Sequence, residues 1–194
     1  MVGGGHVGSE AALESAGLGA KTLLLMLNID RIAWQPCNLS QLVLEVDALG
    51  GEIGKVAARC YLQKSVLNFS RGPAIRALHA QTDKREYTLQ NEKYSGNLKI
   101  IVERQVYFRP NLSIREAMVT DILLGKNDNV EGECTFFGMN FYALSIILTT
   151  GSFMSGKIWV GRTYIPSGRA GESASHGLTE NLQQLGFETD PLKS

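Results

Sequence analysis

The sequence begins with a glycine pattern that is typical of a dinucleotide-binding turn. Gly3, Gly5 and Gly8 follow the spacing G-x-G-x-x-G, and Ala12 lies four residues further on. In this pattern the first glycine permits a tight turn, the second leaves room for a pyrophosphate, and the third lets helix and strand pack closely. The phosphates then meet free N–H groups at the start of a helix, where the helix dipole favours negative charge. The alternative interpretation is a glycine turn with a structural role alone.

The residues that follow the turn predict a helix and then a buried strand. Small apolar side chains recur at helical spacing between Gly8 and Ala20. The segment Lys21–Leu27 (KTLLLML) is a short apolar run, typical of a strand that is buried on both faces. Because only Met1 and Val2 precede the first glycine, we expect the first strand of this βαβ unit to be truncated.

The remaining periodicity predicts a mixed architecture. Helices are predicted at Leu39–Leu49, Pro73–Tyr94 and His176–Leu185. Strands are predicted at 112–124, 130–137 and 140–150, and the last of them is most apolar at Ser145–Thr150. The sequence therefore predicts an α/β, Rossmann-like fold with a parallel sheet and an antiparallel β-hairpin excursion.

Composition excludes several classes of protein. The chain has 19 Lys and Arg against 19 Asp and Glu, so it lacks the basic excess that is usual in nonspecific nucleic-acid binders, although a local basic face stays open. Its three cysteines are odd in number and have no metal-ligand spacing, which indicates free thiols in a reduced compartment and predicts no metal site. Uncharged runs fall short of the roughly 20 residues of a membrane span. We therefore expect no membrane association.

The later part of the chain favours flavin over nicotinamide as the dinucleotide. An acidic residue about 20 positions after the turn often holds the adenosine ribose. Asp30 could serve, although an exposed loop aspartate is the simpler interpretation of that residue. Many flavoproteins place a hairpin after the third strand and then a strand ending in Thr-Gly that returns to the cofactor. The order from VTDILL to SIILTTG matches that arrangement.

Longer motifs make the chain similar to a known family. They recur in order along nearly the whole sequence: GGGHVGSEAA, KTLLLMLNID, LVLEVDALGGEIGKVA, LNFSRGPAIRALHAQTD, PNLSIREAMV, ILTTGSFMSGKIWVG and SGRAGESASHGL. On these motifs the chain resembles the GidA (MnmG) family of tRNA-modifying flavoproteins. SRGPAIRA and SGRAGE are specific to that family and are not general Rossmann features.

The resemblance implies an activity, cofactors and partners. Family members bind FAD, use NADH and a one-carbon folate, and act with a partner GTPase of the MnmE type. They are homodimers that add a carboxymethylaminomethyl group to C5 of the wobble uridine of certain tRNAs. The resemblance therefore implies that residues 1–194 are a partial FAD-binding, Rossmann-like domain of a tRNA-modifying enzyme.

Site residues follow from matching positions. The resemblance implies that the FAD pyrophosphate is held by Gly3, Gly4, Gly5, His6, Val7 and Gly8. Val119 matches a position that meets the adenine side through its backbone, Ser175 matches another FAD contact, and Thr150 and Gly151 lie where the returning strand nears the cofactor.

Cys37 matches one of the two cysteines that the family needs for chemistry. A thiolate there could add to C6 of uracil and make C5 nucleophilic, which requires a lowered pKa and access. The alternative for a free cysteine is a small buried apolar side chain.

Two segments depart from the family pattern. The glycine-rich loop expected after Asn38 is largely absent, and residues 88–108 are longer than the family's connection. These departures leave open an inactive truncated or mis-spliced remnant. A second alternative is an unrelated FAD- or NAD-dependent oxidoreductase that shares only the fold, against which SRGPAIRA and SGRAGE weigh. The stretches ARCYLQK and AMVTDILLGKNDN are similar to plant members, which implies a mitochondrial or chloroplast setting; the expectation is otherwise cytoplasmic, and no targeting segment is visible.

Overall fold

A computed structural model describes residues 1–33, 38–39, 41–59, 61–70, 72, 76–82, 110–168 and 172–190. The helices are α1 (His6–Gly17), α2 (Gln41–Ala48), α3 (Glu52–Arg59) and α4 (Leu178–Gln184). The strands are β1 (Thr22–Met26), β2 (Asn38–Leu39), β3 (Tyr61–Leu67), β4 (Ala77–Thr82), β5 (Leu112–Glu116), β6 (Val119–Leu124), β7 (Val130–Thr135), β8 (Asn140–Tyr142), β9 (Lys157–Val160) and β10 (Thr163–Pro166).

The chain divides into two compact units. The first comprises Met1–Gly8, Leu24–Asp30 and Ile114–Ser194, and the second comprises Ser9–Leu23 and Arg31–Ser113. Strand β1 pairs with β5. The assignment of residues 1–194 to one partial domain stays a prediction.

The parallel part of the first unit is arranged around Val2. This residue forms parallel bridges with Leu25 on one side and Leu148 on the other. Its N–H donates to the Ile147 carbonyl at 3.0 Å, and the Gly3 N–H donates to the Leu25 carbonyl at 2.8 Å. The first strand expected from the sequence is therefore a single bridged residue, and its side chain is buried.

The rest of the first unit is antiparallel. Strands β6, β7 and β8 form one three-stranded sheet, which is the predicted hairpin excursion. The side chain of Asn181 in α4 accepts a hydrogen bond from the Ile122 N–H of β6 at 3.0 Å. Strands β9 and β10 form a separate two-stranded ribbon. Its exposed large hydrophobic side chains are Ile158, Trp159, Val160, Tyr164 and Ile165.

The second unit contains a three-stranded antiparallel sheet of order β2-β4-β3, with an irregularity between Tyr61 and Gln63. Residues 49–51 join helices α2 and α3, and the Gly51 N–H donates to the Val46 carbonyl at 2.9 Å. Within this unit the buried apolar side chains of α1 are Ala12, Leu13 and Ala16, and Ser9 and Glu10 are its buried polar residues.

Several sequence-based predictions of secondary structure need correction. The helix predicted at Pro73–Tyr94 is wrong at Ala77–Thr82, which is strand β4 and pairs on both sides; backbone pairing overrides a weak helix preference. Residues 73–75 and 83–94 lie outside the described residues. The strand predicted at Ser145–Thr150 contains only the bridge at Leu148. The predicted helix at Leu39–Leu49 begins at Gln41, because Leu39 belongs to β2.

Candidate dinucleotide-binding site

The glycine turn connects the bridged residue Val2 to helix α1, which begins at His6. Gly3 has a φ of +104°, a conformation that side-chain-bearing residues rarely adopt. A Cβ on Gly3 would also overlap the carbonyl of Thr149. The first glycine of the pattern is therefore required by backbone conformation and by close packing.

The third glycine is required by packing alone. A Cβ on Gly8 would overlap the carbonyl oxygen of Gly3 and would lie 2.5 Å from Thr149 Oγ1. Gly4 is tight against the flexible end of the Met26 side chain, with its Cβ position 2.5 Å from Met26 Cε. These contacts hold the first turn of α1 against the segment that precedes it.

The second glycine differs from both. Apart from its chain neighbours, no described atom lies within 4 Å of the position that a Cβ on Gly5 would occupy. Its φ is outside the left-handed region. Neither packing nor backbone conformation in the described part of the chain explains a glycine here. The space beside Gly5 is therefore available to a ligand.

The start of α1 is electrostatically suited to an anion. The first N–H groups of a helix have no intrahelical acceptor, and the helix dipole places partial positive charge there. Helix α1 has 12 residues and no acidic residue in its first turn. Val7 in this turn is 70% exposed. A phosphate beside Gly5 would therefore meet N–H donors without a competing carboxylate from that turn.

The returning segment 148–151 is joined directly to the turn. The Thr149 N–H donates to the Val2 carbonyl at 2.8 Å. The Thr149 hydroxyl donates to the carbonyls of Val2 and Gly3, at 3.0 and 2.9 Å. Thr150 contacts Met154 instead, with its Oγ1 2.7 Å from Sδ, and Gly151 has a φ of +73°. The Thr150 Cα lies 3.1 Å from the position of a Cβ on Gly3, so the structure brings Thr150 next to the glycine turn, and Gly151 follows it in the chain.

Ser175 and Val119 are placed less directly. Ser175 forms a parallel bridge with Met154, and its hydroxyl donates to the Phe153 carbonyl at 3.4 Å. This ties Ser175 to the segment that follows Gly151. Val119 is buried at the start of β6, two residues after Ala117, whose N–H donates to the Met26 carbonyl at 2.9 Å. No direct contact between Val119 and the glycine turn is described.

Glu133 is a buried acid in the same unit. Burial raises the pKa of this carboxyl, and the nearby Met1 amino group partly opposes the rise. Its Oε2 has no hydrogen-bond partner among the described residues. A buried carboxyl oxygen that accepts no hydrogen bond favours the neutral acid.

Cys37, the predicted catalytic residue, lies outside the described residues. Cys134 is a free cysteine on β7. Within the described ranges, no group of three or more His, Cys, Asp or Glu residues is placed to hold a metal ion. In that same part of the chain, no helix has both the length and the apolar character that crossing a bilayer demands.

Two residues with specific contacts were not identified from the sequence. Thr149 precedes the predicted Thr-Gly pair, and its partners lie 146 and 147 residues away along the chain. Glu10 is a helical acid that is 9% exposed, and its Oε1 accepts the Ile53 N–H at 2.5 Å at the start of α3. The repeated threonine in ILTTG was the one available signal for Thr149. Nothing in the sequence separated Glu10 from an ordinary surface acid.

A glycine turn that opens a helix, with parallel segments on both sides of the residue before it, defines a Rossmann-like dinucleotide-binding fold. The chain belongs to the family described as glucose inhibited division protein A, GIDA, which matches residues 1–194. The resemblance drawn from the motifs is confirmed.

The proteins to which this chain is similar are much longer than the chain itself. It is 60% identical over 201 residues to a protein of Synechocystis sp. named tRNA uridine 5-carboxymethylaminomethyl modification enzyme MnmG, covering 100% of this chain and 30% of the relative. A protein of the same name from Prochlorococcus marinus subsp. pastoris is 45% identical over 212 residues, covering 100% of this chain and 31% of the relative. The structure of Aquifex aeolicus GidA superposes with a TM-score of 0.80 at 34% identity, covering 96% of this chain and 30% of that one. The chain thus spans about a third of the length of these relatives.

Proposed function

We propose that this chain binds FAD, with the pyrophosphate on the turn formed by Gly3, Gly4, Gly5, His6, Val7 and Gly8. The open position beside Gly5 carries the proposal, because that glycine has no other role in the described structure. The donors at the start of α1 and the lack of an acid in its first turn suit a diphosphate. When bound, FAD supplies two-electron redox chemistry.

The wider proposal is that the chain is the FAD-binding portion of an enzyme that modifies tRNA. Its substrate would be the wobble uridine, which receives a carboxymethylaminomethyl group at C5. Family membership over residues 1–194 and 60% identity to a relative with that name support this proposal. NADH and a one-carbon folate as co-substrates, an MnmE-type GTPase as partner, and a homodimer belong to the same proposal.

Individual residues have proposed roles in this reaction. The backbone of Val119 would face the adenine, and Thr150, Gly151 and Ser175 would line the side of the cofactor that the returning segment approaches. The proximity of Thr149 to Gly3 supports the placement of Thr150 and Gly151. Cys37 would act as a nucleophile toward the uracil ring. The proposed setting is a mitochondrion or chloroplast, as in plant members.

The test is direct binding by the 194-residue chain. We expect flavin absorbance to copurify or to appear on titration with FAD, and we expect NAD to bind more weakly. Gly5→Ala places a methyl group in the pyrophosphate space. Overpacking of this kind typically costs about 1–3 kcal/mol, or roughly 5- to 150-fold in affinity.

Gly72→Ala is the matched control, because no atom of the other described residues lies within 4 Å of the Cβ position of Gly72 and its φ is not positive. Equal FAD affinity of Gly5→Ala and the unaltered chain would contradict the proposed site. Tight binding of NAD without FAD would favour an unrelated oxidoreductase. A folded chain that binds neither dinucleotide would favour the inactive remnant.

A further inference from the structure

We propose that Thr149 is a positioning residue for the dinucleotide turn, whose hydroxyl holds the first peptide of the turn in the orientation that FAD binding needs. This inference rests on the proposed function, because it concerns the same site. Its basis is a pair of hydrogen bonds between one side chain and two consecutive carbonyls.

Thr149 holds the entry to the turn through both its backbone and its side chain. Its N–H donates to the Val2 carbonyl at 2.8 Å, as in a parallel sheet. Its hydroxyl lies 3.0 Å from the same carbonyl oxygen and 2.9 Å from that of Gly3. The hydroxyl proton of Thr149 is therefore shared between the carbonyl oxygen of Val2, the last residue before the turn, and that of Gly3, the first residue within it.

The Gly3 carbonyl is the group whose orientation matters for a ligand. A peptide unit is planar and trans, so fixing the direction of the Gly3 carbonyl also fixes the opposite direction of the Gly4 N–H. Gly3 itself has a φ of +104° and no side chain, so local sterics restrain it weakly. Thr149 supplies the restraint that the glycine lacks.

The same hydroxyl also meets the start of α1. A Cβ on Gly8 would lie 2.5 Å from Thr149 Oγ1 and would overlap the Gly3 carbonyl. The Thr149 hydroxyl, the Gly3 carbonyl and the first turn of α1 are therefore packed closely together. Thr150, the following residue, directs its hydroxyl to Met154 Sδ and has no such role.

The test compares Thr149→Val, which removes the hydroxyl at nearly constant volume, with Thr149→Ser, which keeps it. We expect Thr149→Val to bind FAD about 3- to 10-fold more weakly, the value of one net hydrogen bond, and Thr149→Ser to bind as the unaltered chain does. Thr120→Val is the matched control, because the Thr120 hydroxyl contacts the Cys134 carbonyl at 3.4 Å and no carbonyl of the turn. Thermal unfolding without FAD is measured for each variant.

Unchanged FAD affinity in Thr149→Val would overturn the inference, as would equal weakening in Thr149→Ser. If the valine variant does not fold, Thr149→Ala provides the same comparison. Failure of both to fold would assign Thr149 to stability alone and would also overturn the inference.

Hydrogen exchange separates this inference from the proposed function. In the FAD-free chain, the Gly3 amide, which donates to Leu25, should exchange about 3- to 10-fold faster in Thr149→Val and at an unchanged rate in Thr149→Ser. If the unaltered chain binds no FAD, the proposed function fails, and this exchange rate alone decides whether Thr149 orients the turn.

Discussion

Replacing Gly8 with alanine should destabilise the chain, although alanine is the better helix former. Gly8 lies in the first turn of α1, where the added Cβ would overlap the backbone carbonyl of Gly3. A flexible side chain could rotate away from this contact, but a carbonyl can move only with the turn itself. The substitution therefore forces Gly8 and the Gly3 carbonyl apart.

The size of the effect follows from two opposing contributions. Exchanging glycine for alanine inside a helix stabilises it by about 1 kcal/mol. Overpacking against rigid neighbours costs about 1–3 kcal/mol, and a contact with backbone belongs at the upper end of that range. The net loss is about 2 kcal/mol in the free energy of unfolding. For a chain of this size, each kcal/mol shifts the thermal midpoint by about 2–4 °C, so we expect a fall of about 4–8 °C.

Thermal unfolding followed by circular dichroism measures this shift. Gly17→Ala is the control, because Gly17 is exposed at the end of the same helix and has no positive φ. That variant should unfold at the midpoint of the unaltered chain or above it. If Gly8→Ala instead unfolds at the same midpoint as Gly17→Ala, the close packing of Gly8 on the turn is refuted.

Two further substitutions test buried acids. Glu133→Gln should raise the thermal midpoint near neutral pH, because burial raises the pKa of Glu133 in the folded chain. When the pKa of an acid is raised in the folded chain, its contribution to stability is fully present below its ordinary pKa and is lost as pH rises through the folded value. The difference in thermal midpoint between Glu133→Gln and the unaltered chain should therefore shrink on acidification. A difference that grows on acidification would contradict this. Glu10→Ala removes the acceptor of the Ile53 N–H and should cost about 1–3 kcal/mol by urea unfolding. Glu10→Gln, which keeps an acceptor, should lose less, and equal loss in both variants would refute the role of that bond.

The glycine turn was predictable because its pattern is local. Gly3, Gly5 and Gly8 have a fixed spacing along the chain, and part of what requires glycine lies within the turn itself: the positive φ of Gly3 and the close approach of Gly8 to the Gly3 carbonyl. The short apolar run at Lys21–Leu27 likewise predicted β1, which the structure places at Thr22–Met26. Local pattern alone therefore located the glycine turn and the strand that follows its helix.

The features that sequence reasoning missed depend on partners far along the chain. Ala77–Thr82 is a strand because β2 and β3 pair with it, and the local sequence pattern does not predict that pairing. The hydroxyl of Thr149 donates to carbonyls near the start of the chain, 146 and 147 residues away. Glu10 is buried because its carboxylate meets the start of α3, 43 residues later. Burial and pairing of this kind are properties of the folded chain and have no signature in composition or spacing.

The ribbon of β9 and β10 has a consequence for handling the molecule in solution. It presents Ile158, Trp159, Val160 and Ile165 to water, and each of its two strands has an edge with no strand paired to it in the described part of the chain. Exposed apolar side chains beside open strand edges are a template for pairing between copies. Association between copies, rather than unfolding, would then limit the concentration at which the protein stays in solution. Charged substitutions on this ribbon should raise that concentration.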